Sequence, residues 1–398
     1  MSKLEQLINE LCPNGVEFKK IKNSYTRIKG TPITAGKMKE IASDDGEIKI
    51  FAGGKTVITA HEADIPNANI TRVPAVLVQS RGVIDAVYYD KPFTFKNEMW
   101  AYTADNPIKV KYLYYVLKNN IEHFREAASG MGSLPQISLR VTEDFIIPLP
   151  PLPVQEEIVR ILDKFTELTA ELTAELIARN QQYEYYRDVI LTSGDNIKLV
   201  PLGNIGCVAM CKRIMKNQTT STGNIPFYKI GTFGKKPDAF ISKELFNEYK
   251  EKYSFPTTGS ILISASGTIG RTVVYDGNPA YYQDSNIVWL EHDESTVLNK
   301  YLYYCYQLKP WNVSDGGTIS RLYNDNILKA KIPVPYPEDK ERSLVEQQRM
   351  VDILDRFDKL CNDISEGLPA EIEARQKQYE YYRDKLLTFK KKEASENE

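Results

Sequence analysis

The chain has 398 residues, of which 51 are Lys or Arg and 53 are Asp or Glu, so its formal net charge is −2. This near balance excludes a uniformly basic nucleic-acid coat protein, and the 42% hydrophobic content excludes a disordered chain. Five scattered cysteines and the lack of a long apolar run predict a cytoplasmic protein with neither a disulfide framework nor a membrane segment.

Charge is distributed unevenly along the chain. Residues 1–150 hold 19 basic and 17 acidic side chains, and residues 196–335 hold 16 and 11. In contrast, residues 151–195 hold 4 basic and 9 acidic side chains, and residues 336–398 hold 12 and 16. Two basic segments therefore alternate with two acidic ones, which predicts different roles for the two kinds of segment.

The first basic segment, residues 1–150, has the pattern of a mixed domain built from short strands. Apolar and β-branched runs such as residues 75–80 (AVLVQS) are separated by Gly, Pro, Asn and Asp. The segment ends in the proline-rich residues 147–153 (IPLPPLP), where Pro interrupts strand pairing and favours the start of a helix. We predict a first globular head over residues 1–150.

The first acidic segment, residues 151–195, predicts one long helix. Its apolar residues recur at steps of three and four, which places them on one helix face. They include Ile161, Phe165, Leu168, Leu172 and Leu176. The step from Leu172 to Leu176 interrupts a strict heptad, so we expect a short antiparallel helix pair rather than a regular supercoil.

The remaining two segments repeat this order. Residues 196–337 again contain short β-branched and aromatic runs, among them 261–264 (ILIS) and 286–290 (NIVWL), and end in the prolines of 332–337 (IPVPYP). We predict a second head there. Residues 338–398 show the helical apolar spacing once more, and we predict a C-terminal helix with a kink near 367–369 and a polar tail.

An internal repeat supports this division. Residues 178–188 (ARNQQYEYYRD) match residues 374–384 (ARQKQYEYYRD), and residues 155–165 match residues 347–357. Helices that are more alike than the heads suggest a constant scaffold that presents two variable heads. The fold class predicted is α+β: two mixed α/β heads of short strands, separated and braced by two long antiparallel helices in a tandem pseudo-twofold repeat.

This organisation resembles the specificity subunits of type I restriction–modification systems. The resemblance covers almost the whole chain. It is carried by the two QYEYYRD helices, the two Ile-Pro-x-Pro hinges, residues 259–270 (GSILISASGTIG) and residues 11–18 (LCPNGVEF). The first head departs from it, because residues 82–85 read GVID where residues 267–270 read GTIG.

The resemblance implies two target-recognition domains, each reading one half of a bipartite site on double-stranded DNA. It also implies that the conserved helices dock two methyltransferase (M) subunits, with restriction (R) subunits added outside. Charge agrees with this division, since phosphates repel acidic helices and attract basic heads.

Candidate DNA-binding residues are the basic, amide and hydroxyl side chains near glycine in the predicted loops. Lys is suited to phosphates, whereas Arg, Gln and Asn can pair with base edges. In the first head they are Lys37, Lys39, Lys55, Arg72, Gln79, Arg81 and Lys96; in the second they are Lys212, Arg213, Lys216, Lys235, Lys236, Ser266, Thr268, Arg271, Gln283, Asn286 and Arg321.

Two simpler interpretations of these residues stay open. Any single Lys can be an ordinary solvated surface charge. Residues 264–271 (SASGTIGR) can offer backbone N–H groups to a phosphate, or can form a hairpin turn between two core strands.

On the helices, Tyr183, Tyr186, Tyr379 and Tyr382 have the spacing of residues that pack the two helices together. Their polar neighbours are the predicted partner-binding residues: Glu184, Arg187, Glu380 and Arg383.

No catalytic motif is complete, so we expect no catalytic residue, cofactor or metal. Residues 52–56 (AGGKT) lack the first glycine of a phosphate-binding loop, and residues 278–281 (NPAY) lack the second proline of an amino-methyltransferase motif. Two alternatives are a stand-alone DNA methyltransferase-type enzyme and a coiled-coil adaptor with protein-binding heads.

Overall fold

The computed structural model describes residues 3–128, 134–311, 321–362 and 367–392, without the side chain of Lys55. The predicted polar tail from residue 393 onward and residues 363–366, beside the predicted kink, lie outside the described residues.

The first head contains short strands and five helices among its described residues. The strands are β1 (Glu17–Lys20), β2 (Thr26–Lys29), β3 (Ile48–Phe51), β4 (Val57–Ala60), β5 (Ala75–Gln79), β6 (Asp85–Tyr89), β7 (Phe93–Phe95), β8 (Trp100–Thr103) and β9 (Ile146–Leu149). The helices are α1 (Lys3–Leu11), α2 (Ala35–Ile41), α3 (Pro107–Asn119), α4 (Ile121–Glu126) and α5 (Leu139–Glu143).

The strands of this head form three small sheets, in the orders β2-β8-β5-β6, β4-β3-β7 and β1-β9. All five residues of β5 are buried, because β5 lies between β6 and β8 and α3 packs on the sheet. The Asn106 side chain accepts a hydrogen bond from Ile108 N at the start of α3, and Pro107 fits the first helical turn. The pattern of apolar runs thus becomes a buried central strand covered by a capped helix.

A single 41-residue helix, α6 (Leu152–Thr192), follows the first proline-rich run. The prolines fall before the helix and in its first turn, where a missing N–H costs no intrahelical hydrogen bond. The predicted acidic helix is therefore present.

The second head repeats the short strands of the first. They are β10 (Ile197–Pro201), β11 (Cys207–Ala209), β12 (Ile225–Tyr228), β13 (Phe240–Ile241), β14 (Ile261–Ser264), β15 (Thr272–Val274), β16 (Tyr281–Tyr282), β17 (Ile287–Glu291) and β18 (Lys331–Pro335). Its helices are α7 (Lys243–Lys252), α8 (Asn299–Gln307) and α9 (Asn324–Lys329), and two further helices follow it, α10 (Lys340–Asn362) and α11 (Leu368–Leu386).

The strand orders of the second head are β11-β17-β14-β15, β13-β12-β16 and β10-β18. Each sheet has its counterpart in the first head, and each head contains a parallel strand pair at the same place, β3 with β7 in the first and β12 with β16 in the second. The two heads share one topology, which confirms the predicted tandem repeat.

The chain divides into two compact units, Met1–Thr173 with Glu371–Glu398, and Ala174–Ala370. Each unit contains one head and helical segments from both copies of the repeat. In the first unit Phe165 stacks on Tyr382, with ring centroids 5.6 Å apart. In the second, Tyr186 stacks on Phe357 at 6.1 Å. The tyrosines therefore pack helix against helix, as their spacing predicts.

Hydrogen bonds join the helical segments to the head within each unit. Tyr115 Oη of α3 donates to Asp163 of α6 at 2.5 Å in the first unit. In the second, Tyr304 of α8 donates to Asp355 of α10. Both tyrosines are buried, and their burial, reinforced by the carboxylate, raises the pKa of each phenol, so that it stays a neutral donor.

Candidate nucleic-acid interface

Each head has a polar cleft at the same place in its topology. In both clefts one wall is the connection between two strands, from β7 to β8 in the first head and from β16 to β17 in the second. The loop that follows β5 contributes Arg81 and Gly82 to the first cleft, whereas the loop that follows β14 lies beside the lining residue Arg321, to which Ser266 forms a β-bridge. The backbone confirms the equivalence of the two loops, because Ile137 N donates to Ser80 O at 3.0 Å and Leu322 N donates to Ala265 O at 2.8 Å.

The cleft of the second head, here the second cleft, has a volume of about 560 Å³. It brings together five of the predicted DNA-binding residues, Arg213, Lys216, Gln283, Asn286 and Arg321. The sequence analysis missed four further polar lining residues, Thr219, Lys229, Asp284 and Ser285. Cations and amides thus face one concave surface, the combination that holds phosphates and reads base edges.

The floor of the second cleft is held in a fixed conformation by its own hydrogen bonds. Arg321 Nη2 donates to Ser285 O at 2.8 Å, and Ser266 Oγ donates to Asn286 Oδ1 at 2.8 Å. Ser285 has a φ of 60°, which a residue with a side chain rarely adopts. The Gln283 side chain accepts from Ile230 N at 2.9 Å.

The cleft of the first head, here the first cleft, is smaller, about 400 Å³. Its charged lining residues are Lys39, Arg81, Lys96 and Glu98. Lys96 Nζ lies 2.9 Å from Glu98 Oε1, whereas no ion pair joins Arg81 to another described residue. Three glycines at positions 53, 54 and 82 complete the wall and leave space beside Arg81.

The loop between β14 and β15 forms a hairpin connection. Ile269, Gly270 and Arg271 donate their N–H groups to acceptors within the loop or in β14. Arg271 also donates from Nη1 to Phe233 O at 2.9 Å and from Nη2 to Thr268 Oγ1 at 3.3 Å. Most of the N–H groups that the phosphate-binding interpretation requires are therefore already used by the hairpin.

The other predicted DNA-binding residues lie outside the clefts. Lys37 pairs with Glu40 at 2.8 Å, and Arg72 pairs with Glu62 at 2.5 Å. Gln79 is buried at the end of β5. Lys212, Lys235, Lys236 and Thr268 are exposed on the second head, and the side chain of the predicted Lys55 lies outside the described part of the structure. Lys212 lies over the Tyr253 ring at 5.0 Å.

The four predicted partner-binding residues fall into two pairs. Glu184 and Glu380 are exposed. The side chain of Arg187 is 12% exposed, donates to Gln307 Oε1 at 3.2 Å and lies over Tyr183. Arg383 does the same in the first unit, donating to Asn119 Oδ1 at 2.6 Å and lying over Tyr379. The two arginines thus join helix to head within a unit.

Two exposed tyrosines were missed. Tyr185 is 65% exposed and Tyr381 is 62% exposed, and they occupy the same place in the two copies of the repeat. Their position in QYEYYRD, beside tyrosines that pack inward, is the signal that points to them.

No helix among the described residues has the length and apolar character needed to cross a membrane. Within the same residues there is also no group of three or more His, Cys, Asp or Glu side chains arranged to hold a metal ion.

A duplicated head with a cationic cleft defines a two-headed protein of the DNA-recognition class. A family model described as the type I restriction modification DNA specificity domain matches the chain twice, over residues 17–179 and 194–374.

Similar proteins agree with that match. The Escherichia coli type I restriction enzyme EcoR124I/EcoR124II specificity subunit is 32% identical over 376 residues, which cover 89% of this chain and 90% of the relative. A Haemophilus influenzae protein, "Putative type I restriction enzyme specificity subunit S.HindORF215P", is 53% identical over 306 residues, 75% of this chain and 77% of the relative. The crystal structure of a type I restriction–modification S subunit from M. genitalium has the same fold, with a TM-score of 0.56 at 16% identity, covering 94% of this chain and 96% of that one.

The chain therefore belongs to the type I restriction–modification DNA specificity family. It is the DNA-recognition subunit and not a catalytic one, so the hypotheses of a stand-alone methyltransferase and of a coiled-coil adaptor are wrong.

Proposed function

We propose that the first cleft and the second cleft each bind one half of a bipartite DNA site. The observation that carries this proposal is the placement of cationic and amide side chains at one equivalent position of two heads with the same topology. Duplicated heads suit two half-sites, just as a protein dimer does. The role requires access to chromosomal DNA and so implies a cytoplasmic location.

Within the clefts, we assign Lys39 and Lys216 to phosphates. Both are exposed and lie at the rim, where a flexible ammonium group can follow the backbone of the duplex. Asn286 and Arg81 lie beside the loops that follow β14 and β5, and we assign them to base edges. Their planar amide and guanidinium groups allow bidentate pairing with a base.

The experiment measures affinity of the assembled modification complex for its target duplex at several salt concentrations. The double substitution Arg213→Ala with Lys216→Ala removes two cations from the second cleft. If both cations neutralise phosphates, the slope of log affinity against log salt falls by about two. The matched control, Lys250→Ala with Lys252→Ala, removes the same charge from α7 of the same head, where both lysines are exposed and lie outside the cleft lining.

The control is expected to keep the original salt dependence. Equal slopes for the cleft variant, the control and the parent chain would contradict the assignment of DNA to this cleft.

We further propose that each copy of QYEYYRD docks one modification subunit, which gives two such subunits in the complex, with restriction subunits outside them. Glu184 with Tyr185 and Glu380 with Tyr381 form two matching exposed sites. A large, rigid aromatic side chain beside a charged group is a common anchor in protein interfaces. Arg187 and Arg383 support these sites by holding the helix to its head.

Native mass spectrometry of the purified complex tests this stoichiometry. We expect two modification subunits on the parent chain, one on Tyr185→Ala or Tyr381→Ala, and none on the double variant. The control variant is Tyr253→Ala, which changes an exposed tyrosine directly after α7. This variant is expected to keep both modification subunits. Retention of both subunits by the double variant would contradict the proposal.

A further inference from the structure

Each cleft contains one carboxylate where a DNA-binding surface is expected to be cationic. Asp284 lines the second cleft with a side chain that is 15% exposed, and Glu98 lines the first with 26% exposed. Both belong to the short connection that leads from the parallel strand pair into the central sheet, β16 to β17 and β7 to β8. A carboxylate facing phosphates lowers affinity for any duplex, so its presence in both clefts calls for a function that a neutral side chain cannot perform.

Only one of the two carboxylate oxygens of Asp284 accepts hydrogen bonds from neighbouring residues. Its Oδ2 accepts from Arg213 Nε at 2.8 Å and from Ser285 Oγ at 3.4 Å. No described residue donates to Oδ1. Oδ1 is therefore the free acceptor of a side chain that is only 15% exposed, and it can receive a hydrogen bond from a donor on the DNA.

The backbone holds this acceptor in place. Ser285 has a φ of 60°, and Arg321 Nη2 donates to Ser285 O at 2.8 Å. Asn286 N donates to Asp284 O at 2.7 Å. Residues kept in a sparsely populated backbone conformation cluster at binding sites, where the surrounding structure compensates for their cost.

An ionised carboxylate accepts hydrogen bonds and donates none. In the major groove, the exocyclic amino groups of cytosine and adenine donate, whereas guanine O6 and thymine O4 are acceptors that a carboxylate repels. We propose that Asp284 reads an amino-bearing base, adenine or cytosine, on one strand of the second half-site, and that Glu98 does so in the first half-site. This inference rests on the proposed function, because it requires DNA in the clefts.

In this proposal Arg213 and Lys96 pair with the carboxylates until DNA binds. Each pairs with the carboxylate in the free protein and neutralises it. When DNA enters, the cation can turn toward a phosphate while the base amino group takes its place at the carboxylate. The exchange keeps the carboxylate satisfied in both states, which limits the desolvation cost of binding.

The test compares Asp284→Asn with the parent chain in the assembled modification complex. The substrates are duplexes that carry each of the four base pairs in turn at every position of both half-sites. For the parent we expect one position of the second half-site at which adenine or cytosine on one strand is preferred by roughly 10- to 100-fold. Asp284→Asn relaxes that position by at least 10-fold toward guanine and thymine, because the amide N–H₂ group can donate to O6 or O4.

Glu98→Gln makes the same change in the first half-site, so each variant is the other's control for folding of the untouched head. Glu248→Gln removes a carboxylate from the same head as Asp284; Glu248 pairs with Lys252 at 3.0 Å, and neither residue lines the cleft. It is expected to leave every preference unchanged.

Arg213→Gln distinguishes two roles of Asp284, the reading of a base and the positioning of Arg213. If Asp284 serves only to hold Arg213, then Arg213→Gln and Asp284→Asn give the same uniform loss of affinity, and no base preference changes; that result overturns the inference while leaving DNA in the cleft. If neither variant nor the cleft-cation variants alter binding to the second half-site, the proposed function itself fails.

Discussion

The two heads have the same strand order and different clefts. In the second head Arg271 precedes β15 and braces the loop through Phe233 O. In the first head Asp85 begins β6 and accepts from Lys118 Nζ of α3 at 2.7 Å instead. The buried strands determine the topology of a head, so the topology is the same in both copies of the repeat. The exposed loops do not affect the topology, so the binding surfaces that they form can differ between the heads. Constant joints and variable clefts are what a subunit needs if it reads two different half-sites.

The joints between head and helix share their buried tyrosines but differ at one ion pair. Glu157 of the first unit is 3% exposed and is held by Arg160 at 2.6 Å and Lys3 at 3.1 Å. The hydrogen bond from Arg160, together with Lys3, lowers the pKa of this carboxyl to about 2. The second copy has Arg349 at this place, paired with Glu346 at 2.7 Å.

Glu157→Gln is expected to have the largest effect on stability. A carboxyl whose pKa falls from 4.5 to about 2 on folding contributes about 3 kcal/mol above pH 4.5, and this contribution is lost as pH falls toward 2. Urea unfolding therefore shows a loss of about that size at pH 7 and a smaller one at pH 3. Glu346→Gln in the second unit, where the carboxyl is more exposed, costs less. The same loss for Glu157→Gln at both pH values would contradict this assignment.

The buried tyrosine joints are expected to be equal in the two units. Tyr115→Phe and Tyr304→Phe each remove a hydrogen bond to a carboxylate, and each lowers the free energy of unfolding by about 1.5 to 3 kcal/mol.

Tyr112→Phe and Tyr301→Phe are the matched controls. They remove bonds to the neutral acceptors Pro148 O and Pro333 O and cost about 1 kcal/mol. Hydrogen exchange is expected to show that each variant loses stability in the unit that contains the substituted tyrosine. Clearly unequal effects at Tyr115 and Tyr304 would show that the joints are not equivalent.

The smallest expected effect concerns the arginines at the end of the repeat. Arg187→Ala and Arg383→Ala each remove a bond to a head amide and a contact with a tyrosine ring, at about 1 kcal/mol. Hydrogen exchange in α8 and α3 reports the loss. Glu184→Ala and Glu380→Ala, at neighbouring exposed positions, leave that exchange unchanged. Faster exchange in the glutamate variants would show that those side chains also support the heads.

The sequence predicted the parts of the fold that depend on periodicity and repetition. The long helix follows from the spacing of Ile161, Phe165 and Leu168, and the twin heads follow from the repeat. It did not predict that Phe165 of one copy packs on Tyr382 of the other, because tertiary packing decides which helical segments pair. Gln79 illustrates the same limit, since its burial depends on the strands on either side of β5.

Only part of the candidate site could be predicted from residue types. Cationic and amide side chains indicate Arg213, Lys216 and Asn286, which the fold brings together. Residue type alone does not indicate Asp284, because phosphates repel a carboxylate. Its position in the cleft and its free oxygen are visible only in the structure. Loop conformation, here the left-handed Ser285, decides which side chains face the cleft, and residue composition does not encode it.

The central claim is that each head reads its own half-site. The most direct measurement is methylome sequencing of a host that expresses the modification complex, with residues 16–150 exchanged for the first head of the Haemophilus influenzae relative. We expect the first half-site to become the one that the donor's first head reads in its own complex, and the second to stay as it is. A first half-site that differs from the donor's, or a change in the second, would contradict the account.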